Sequence, residues 1–202
     1  GTSWEEVAAV LLRDGKHADA AKLFELNGQP QKAGEVLDQS GDVTAAIRLY
    51  VKAGLREPAR EALKKLATPV AQKLLLELGQ GDLLLDLLAA RNRWEDIGKL
   101  YRRAGQHADA AQAFLKAGRT HMATEALLKG GDAEGAQKII EQDAEAARQK
   151  GDARGAGEAY ARWKQFGKAA AQVAESDPDK ALEWASKASG DADVLKLAER
   201  EA

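Results

Sequence analysis

Gly41-Asp42-Val43-Thr44-Ala45-Ala46-Ile47-Arg48-Leu49-Tyr50-Val51-Lys52-Ala53-Gly54 is a unit closed by two glycines thirteen residues apart. Glycine is costly inside a helix but suits the left-handed residue that follows one. The spacing therefore predicts a helix of about ten residues between two tight turns. Asp42 is placed to cap it. Ala46 and Tyr50 lie four apart, so they share one helix face. The small residue lets a neighbouring helix approach and the ring fills the space beside it. The same frame stands upstream as Gly15, Ala20, Phe24 and Gly28, and more weakly downstream as Gly151, Ala156 and Tyr160. Gly105, Gly118 and Gly131 repeat the thirteen-residue step. Successive antiparallel hairpins, each packing mainly on its neighbours, make an α-solenoid.

Composition agrees. Among 202 residues there are 42 Ala and 25 Leu, against 17 Val, Ile and Thr together. Strands favour β-branched and aromatic side chains, so a largely β protein is excluded. Cysteine is absent, which removes disulfide scaffolds, Cys-ligated zinc and iron–sulfur sites. With 30 basic and 32 acidic residues there is no basic excess for a phosphate backbone, and nucleic acid is not an expected partner. Apolar runs fall short of the ~20 residues that span a bilayer, and no signal peptide opens the chain. A cytoplasmic protein is expected. The opening Gly1-Thr2-Ser3 lacks a Met, and the chain reads as a fragment of something larger.

A longer repetition overlies the short one. Aligned without gaps, 4–50 and 94–140 share 17 identities in 47 positions, a duplicated helical block. The reading gives sixteen helices, including separate ones at 133–141, 143–150, 178–189 and 191–200. They make one domain, 1–202, with repeats at 3–54, an irregular Leu-rich segment at 55–92, duplicated repeats at 93–142 and capping repeats at 143–202. Five turns read Gly-Asp: Gly41-Asp42, Gly81-Asp82, Gly131-Asp132, Gly151-Asp152 and Gly190-Asp191. In the tail, Trp163, Phe166, Trp184, Val194, Leu195 and Leu197 carry the expected core. Leu83-Leu84-Leu85 and Leu87-Leu88 are apolar around much of one helix, which is buried on several sides or covered by a partner.

Segment 94–117 resembles a tetratricopeptide repeat. Trp94, Ile97, Gly98, Tyr101, Gly105, Ala110, Phe114 and Ala117 stand at that family's packing spacings. His107 replaces its usual Tyr, Met122 its usual Pro, and the period is about 26 residues instead of 34. Ala45–Gly54 is also similar to the short-helix solenoids of coatomer and intraflagellar-transport subunits. The resemblance implies an all-α, right-handed, tetratricopeptide-like solenoid of about eight antiparallel helix pairs. It also implies a non-enzymatic scaffold that binds another protein or peptide. A self-assembling element of a coat, transport or other large complex is the alternative.

Chemistry is sparse. His107, Asp109 and His121 fall on adjacent helices, but no metal-ligand spacing is present, and His107 is expected to pack in the hairpin turn. No phosphate loop or nucleophile elbow exists, so neither a cofactor nor a small-molecule ligand is expected. Trp4 and Trp94 read as packing anchors. The candidate surface is basic. Lys99, Arg102 and Arg103 lie at i, i+3 and i+4 on one helix face, with Arg91 just before. By resemblance they line the groove of the repeat and take an acidic or carboxylate-ended peptide, although Asp96 replaces the Asn of the family's carboxylate clamp. Leu84 and Leu88 are the candidate apolar contacts.

Overall fold

A computed structural model describes residues 1–201, with side chains through Ser189. Every regular element among them is a helix. The first seven are α1 (Trp4–Arg13), α2 (His17–Leu26), α3 (Pro30–Gln39), α4 (Val43–Lys52), α5 (Arg56–Leu63), α6 (Thr68–Glu77) and α7 (Gly81–Ala90). Then come α8 (Trp94–Arg103), α9 (His107–Lys116), α10 (Thr120–Lys129), α11 (Ala133–Gln149), α12 (Ala153–Ala161), α13 (Phe166–Val173) and α14 (Pro178–Glu201). Backbone contacts divide the chain into two compact units, Gly1–Arg93 and from Trp94 onward. The all-α, neighbour-on-neighbour arrangement expected of a solenoid is what each unit shows.

Fourteen helices stand where sixteen were expected, because two expected pairs are continuous. No Gly or Pro interrupts Glu141-Gln142-Asp143, so nothing stops α11 there. The backbone of α14 likewise runs through Gly190-Asp191. The side chains of Val194, Leu195 and Leu197 lie outside the described residues.

One turn is used repeatedly. Gly41 (φ 93°) and Gly105 (φ 73°) sit in the left-handed region just after a helix, as the thirteen-residue spacing requires. The next N–H then closes back on the helix, Asp42 N to the Leu37 carbonyl at 3.0 Å and Gln106 N to the Tyr101 carbonyl at 2.9 Å. This bond satisfies a carbonyl that the helix end leaves orphaned. Asn92 (φ 54°) and Lys164 (φ 60°) take the same place elsewhere. Asp42, Asp132 and Asp152 cap the following helices through the N–H groups of Ala45, Gly135 and Gly155. Asp82 does not. It lies inside the first turn of α7, and Gly79 (φ 65°) makes that turn instead.

Two hairpins, α3–α4 and α8–α9, close by setting an aromatic ring on a residue that has almost no side chain. A Cβ added to Gly98 would stand 2.5 Å from Phe114 Cε1, inside van der Waals contact. Gly34 of α3 is covered in the same way by the Tyr50 ring of α4, and Gly157 by Trp184. Gly34 to Tyr50 and Gly98 to Phe114 are both sixteen residues. Ala8 holds the corresponding place before Phe24 and is 1% exposed. Phe114 is 0% exposed, and full burial of such a ring contributes about 1.5–3 kcal/mol. Ion pairs then link every second helix: Lys52 to Glu25 at 2.7 Å, Arg48 to Glu77 at 3.0 Å and Lys168 to Glu141 at 3.4 Å. Exposed pairs of this kind are worth roughly 0–1 kcal/mol, so they set register more than stability.

The joint is missing between Tyr50 and Trp94, where the sequence has no aromatic residue. There α5 and α6 are the successive helices of the first unit without an extensive contact, and α7 packs on both. No glycine ends α5. The chain leaves it through Ala67 (φ −61°, ψ 146°), with Pro69 in the first turn of α6. The open turn is closed from elsewhere. Arg91, at the end of α7, donates from Nη2 to the carbonyls of Leu63 (3.2 Å) and Leu66 (2.9 Å) and from Nη1 to Thr68 Oγ1 (2.9 Å). A guanidinium suits this task because its fixed fork reaches several acceptors at once. Hydrogen bonds to charged groups contribute about 1.5–3 kcal/mol. Arg91→Met is therefore expected to lower unfolding free energy by about 2 kcal/mol in urea denaturation. It should also speed amide exchange at 64–68. A loss below ~0.5 kcal/mol, within the range of ordinary surface changes, would show that Arg91 is not the strut.

Candidate functional site

The basic candidates converge on α8 of the second unit, and most are already engaged. Lys99 Nζ lies 2.7 Å from Glu95 Oε1, one turn back on the same helix. The other oxygen, Oε2, accepts from Arg119 Nε at 2.7 Å, just ahead of α10. Lys99 first, then Arg119, hold the Glu95 carboxyl down at about 2. Arg102 is half-buried, its guanidinium 5.6 Å from the centre of the Phe114 ring. Its stem therefore belongs partly to the hairpin joint. Arg103 is exposed and makes no ion pair among the described residues. Lys116 completes the face, with Nζ 4.3 Å over the Trp94 ring.

Two residues of this face, Lys116 and Arg119, were not singled out in the sequence. A signal was available in the duplication. At positions equivalent to Lys99, Arg102, Lys116 and Arg119 the first block has Ala9, Leu12, Leu26 and Gln29. The two copies agree where they pack and differ in charge here. The cationic face therefore belongs to the second block alone.

The remaining candidates lie elsewhere. Arg91 is the strut of the α5–α6 turn, and three of its five N–H donors are engaged within the first unit. Leu84 and Leu88 are 1% and 0% exposed. They are core residues, and in this conformation neither offers surface to a partner. Helical geometry puts them on the enclosed side of α7, while Leu83 and Leu87 border a groove. His107 packs on Gly130 in the turn before α11, its Nδ1 buried without a partner. Among the described residues no three His, Asp or Glu groups stand where they could hold a metal ion. No helix among them is long and apolar enough to cross a membrane.

The fold defines the chain as a helical-repeat protein, and relatives can be set beside that class. No family model matches it. The intraflagellar transport protein 172 homolog of Drosophila melanogaster is 31% identical over 128 residues, covering 54% of this chain and 7% of that protein. Intraflagellar transport protein 172 of Chlamydomonas reinhardtii is 31% identical over 119 residues, covering 55% of this chain and 6% of that protein. The chain thus spans less than a tenth of the length of either relative.

The Glu95 bridge gives the site a pH signature. Its folded carboxyl titrates near 2, below the ordinary value of 4.5. A depressed carboxyl stabilises the fold above its unfolded pKa, and that contribution fades as pH falls through the folded one. Between about pH 4.5 and 2 the native chain should therefore lose more stability than Glu95→Gln, with the two curves parallel above pH 5. Parallel curves throughout, or a Glu95 carboxyl that titrates near 4.5 by NMR, would show the bridge does not form in solution.

Proposed function

We propose that the chain is a segment of a non-enzymatic, tetratricopeptide-like scaffold that binds other proteins in a cytoplasmic assembly of the intraflagellar-transport kind. One observation carries this most. The 31% identity to two intraflagellar transport proteins falls on a chain built of stacked short hairpins. Such stacks present long surfaces, and they recognise partners with a few apolar anchors and a charged rim. The proposed contact is the α8 face. Arg103 is its exposed cation, without an ion pair among the described residues, and Lys99 and Arg102 are in reach beside it, for an acidic partner segment.

Self-assembly, as an element of a coat, transport or other large complex, is the second reading, supported by the same neighbour-on-neighbour stacking of short helices.

The test is capture by the immobilised chain from an extract of ciliated cells, quantified by mass spectrometry. Intraflagellar-transport proteins should be enriched, and Arg103→Glu with Lys99→Gln should cut their retention at least tenfold. Retention unaffected by the substitutions would reject the α8 face, and no enrichment would reject the scaffold reading. Sedimentation over a concentration series separates the second reading, since only self-assembly makes the mass rise with concentration.

A further inference from the structure

Of the four prolines in the chain, Pro69 alone follows a hydroxyl residue, Thr68. Proline-directed protein kinases take a Ser or Thr in that setting, bound in an extended conformation. The surroundings are open: Ala67 and Pro69 are exposed, and Val70 is 50% exposed. The first turn of α6 is also lightly held. Its cap residue, Ala67, makes no side-chain bond to the first N–H groups. The first helical bond there is Ala71 N to the Ala67 carbonyl, at 3.0 Å. The proline ring pushes the residue before it towards extended backbone, so Thr68 leaves the helix at little cost. No extensive contact between α5 and α6 resists it. What holds the Thr68 side chain is Arg91, whose Nη1 donates to Oγ1 at 2.9 Å.

Arg91 is a partly buried cation whose acceptors are all neutral: Thr68 Oγ1 and the carbonyls of Leu63 and Leu66. Among the described residues it makes no ion pair. A charge withdrawn from water without a counter-ion is costly, so the position favours an incoming anion. Two of the five guanidinium N–H donors are uncommitted. No acid is near in sequence to repel that anion. Residues 62–76 include Lys64, Lys65 and Lys73 and no Asp or Glu. The carboxylates that reach this stretch are already paired, Glu61 with Lys64 and Asp38 with Lys65, both at 2.6 Å.

We propose that Thr68 is a phosphorylation site whose phosphate locks the α5–α6 turn onto the Arg91 guanidinium. The γ-phosphoryl group of ATP passes to Thr68 Oγ1, its bond to the departing ADP breaks, and the hydroxyl proton leaves to a base of the kinase. The new group carries about −1.5 to −2 charge and three strong acceptor oxygens. Guanidinium and phosphate match as a bidentate pair, which is stronger than the neutral contact it replaces. A turn tied by one cation to neutral acceptors becomes a turn tied by an ion pair. The modification therefore stiffens the irregular middle of the first unit, whichever partner the scaffold binds.

The full 202-residue chain is incubated with ATP and a proline-directed kinase, and fragmentation mass spectrometry locates the phosphate. Thr68 should be labelled, and Thr68→Ala should lose that label. Amide exchange at 64–68 should then slow about tenfold or more in the phosphorylated chain. In Arg91→Met the phosphate should leave exchange nearly unchanged. Arg91→Lys keeps the charge but not the fork, and it should lose most of the slowing even if Arg91→Met fails to fold. A chain that takes no phosphate at Thr68 would overturn the site. Exchange that is unchanged or faster on phosphorylation, or slowed equally in the Arg91 variants, would overturn the lock. No partner enters these measurements, so the scaffold reading stands or falls separately.

Discussion

The constraint on which the rest depends is the contact of an aromatic ring with a helix that has almost no side chain beneath it. Gly98 under Phe114 and Gly34 under Tyr50 each join two ten-residue helices. Helices so short are marginal alone and draw their stability from packing. A ring seated on bare backbone brings the two axes close and buries a large apolar area in one contact. Glycine lowers helix propensity by about 1 kcal/mol relative to Ala, which the burial of the ring offsets. The left-handed turn residues fix hairpin length, so the ring falls sixteen residues after its seat in both cases. Turn spacing and packing partner are two readings of one geometry.

The irregular middle of the chain lacks that joint. Without an aromatic residue between Tyr50 and Trp94, α5 and α6 have no ring to hold them together. The open turn is tied by Arg91, and a groove remains between α5 and α7. In the second unit cations settle over the rings: Lys116 on Trp94, Arg102 on Phe114 and Lys168 on Tyr160. The basic face of α8 is thus partly a by-product of shielding rings. Of the three residues that share that helix face, Arg103 is the one with neither an ion pair nor a ring contact among the described residues.

Much of this was legible in the sequence, for local reasons. The thirteen-residue glycine step and the Asp caps at Asp42, Asp132 and Asp152 are short-range signals. What failed required knowledge of distant partners. Gly81-Asp82 looks like Gly41-Asp42, but Gly79 had already made the turn. The α11 fusion at 141–143 is a boundary without a stop signal. For Leu84 and Leu88 the all-round apolar helix leaves open whether the fold or a partner covers them, because it does not announce which side its neighbours occupy. Arg91 reads as one more basic residue, since its three acceptors lie 23 to 28 residues away.

The most direct measurement is a double-mutant cycle on Gly98 and Phe114, with unfolding free energies from urea denaturation. Adding a methyl group at Gly98 should cost about 1–3 kcal/mol while Phe114 is present, because the buried ring has nowhere to go. In a Phe114→Leu background the same Gly98→Ala change should cost little, or stabilise by up to about 1 kcal/mol through helix propensity. The coupling would then be at least ~1 kcal/mol, as for residues in direct contact. Equal effects of Gly98→Ala in both backgrounds would contradict the account, and would mean that the ring and the bare helix do not hold the repeat together.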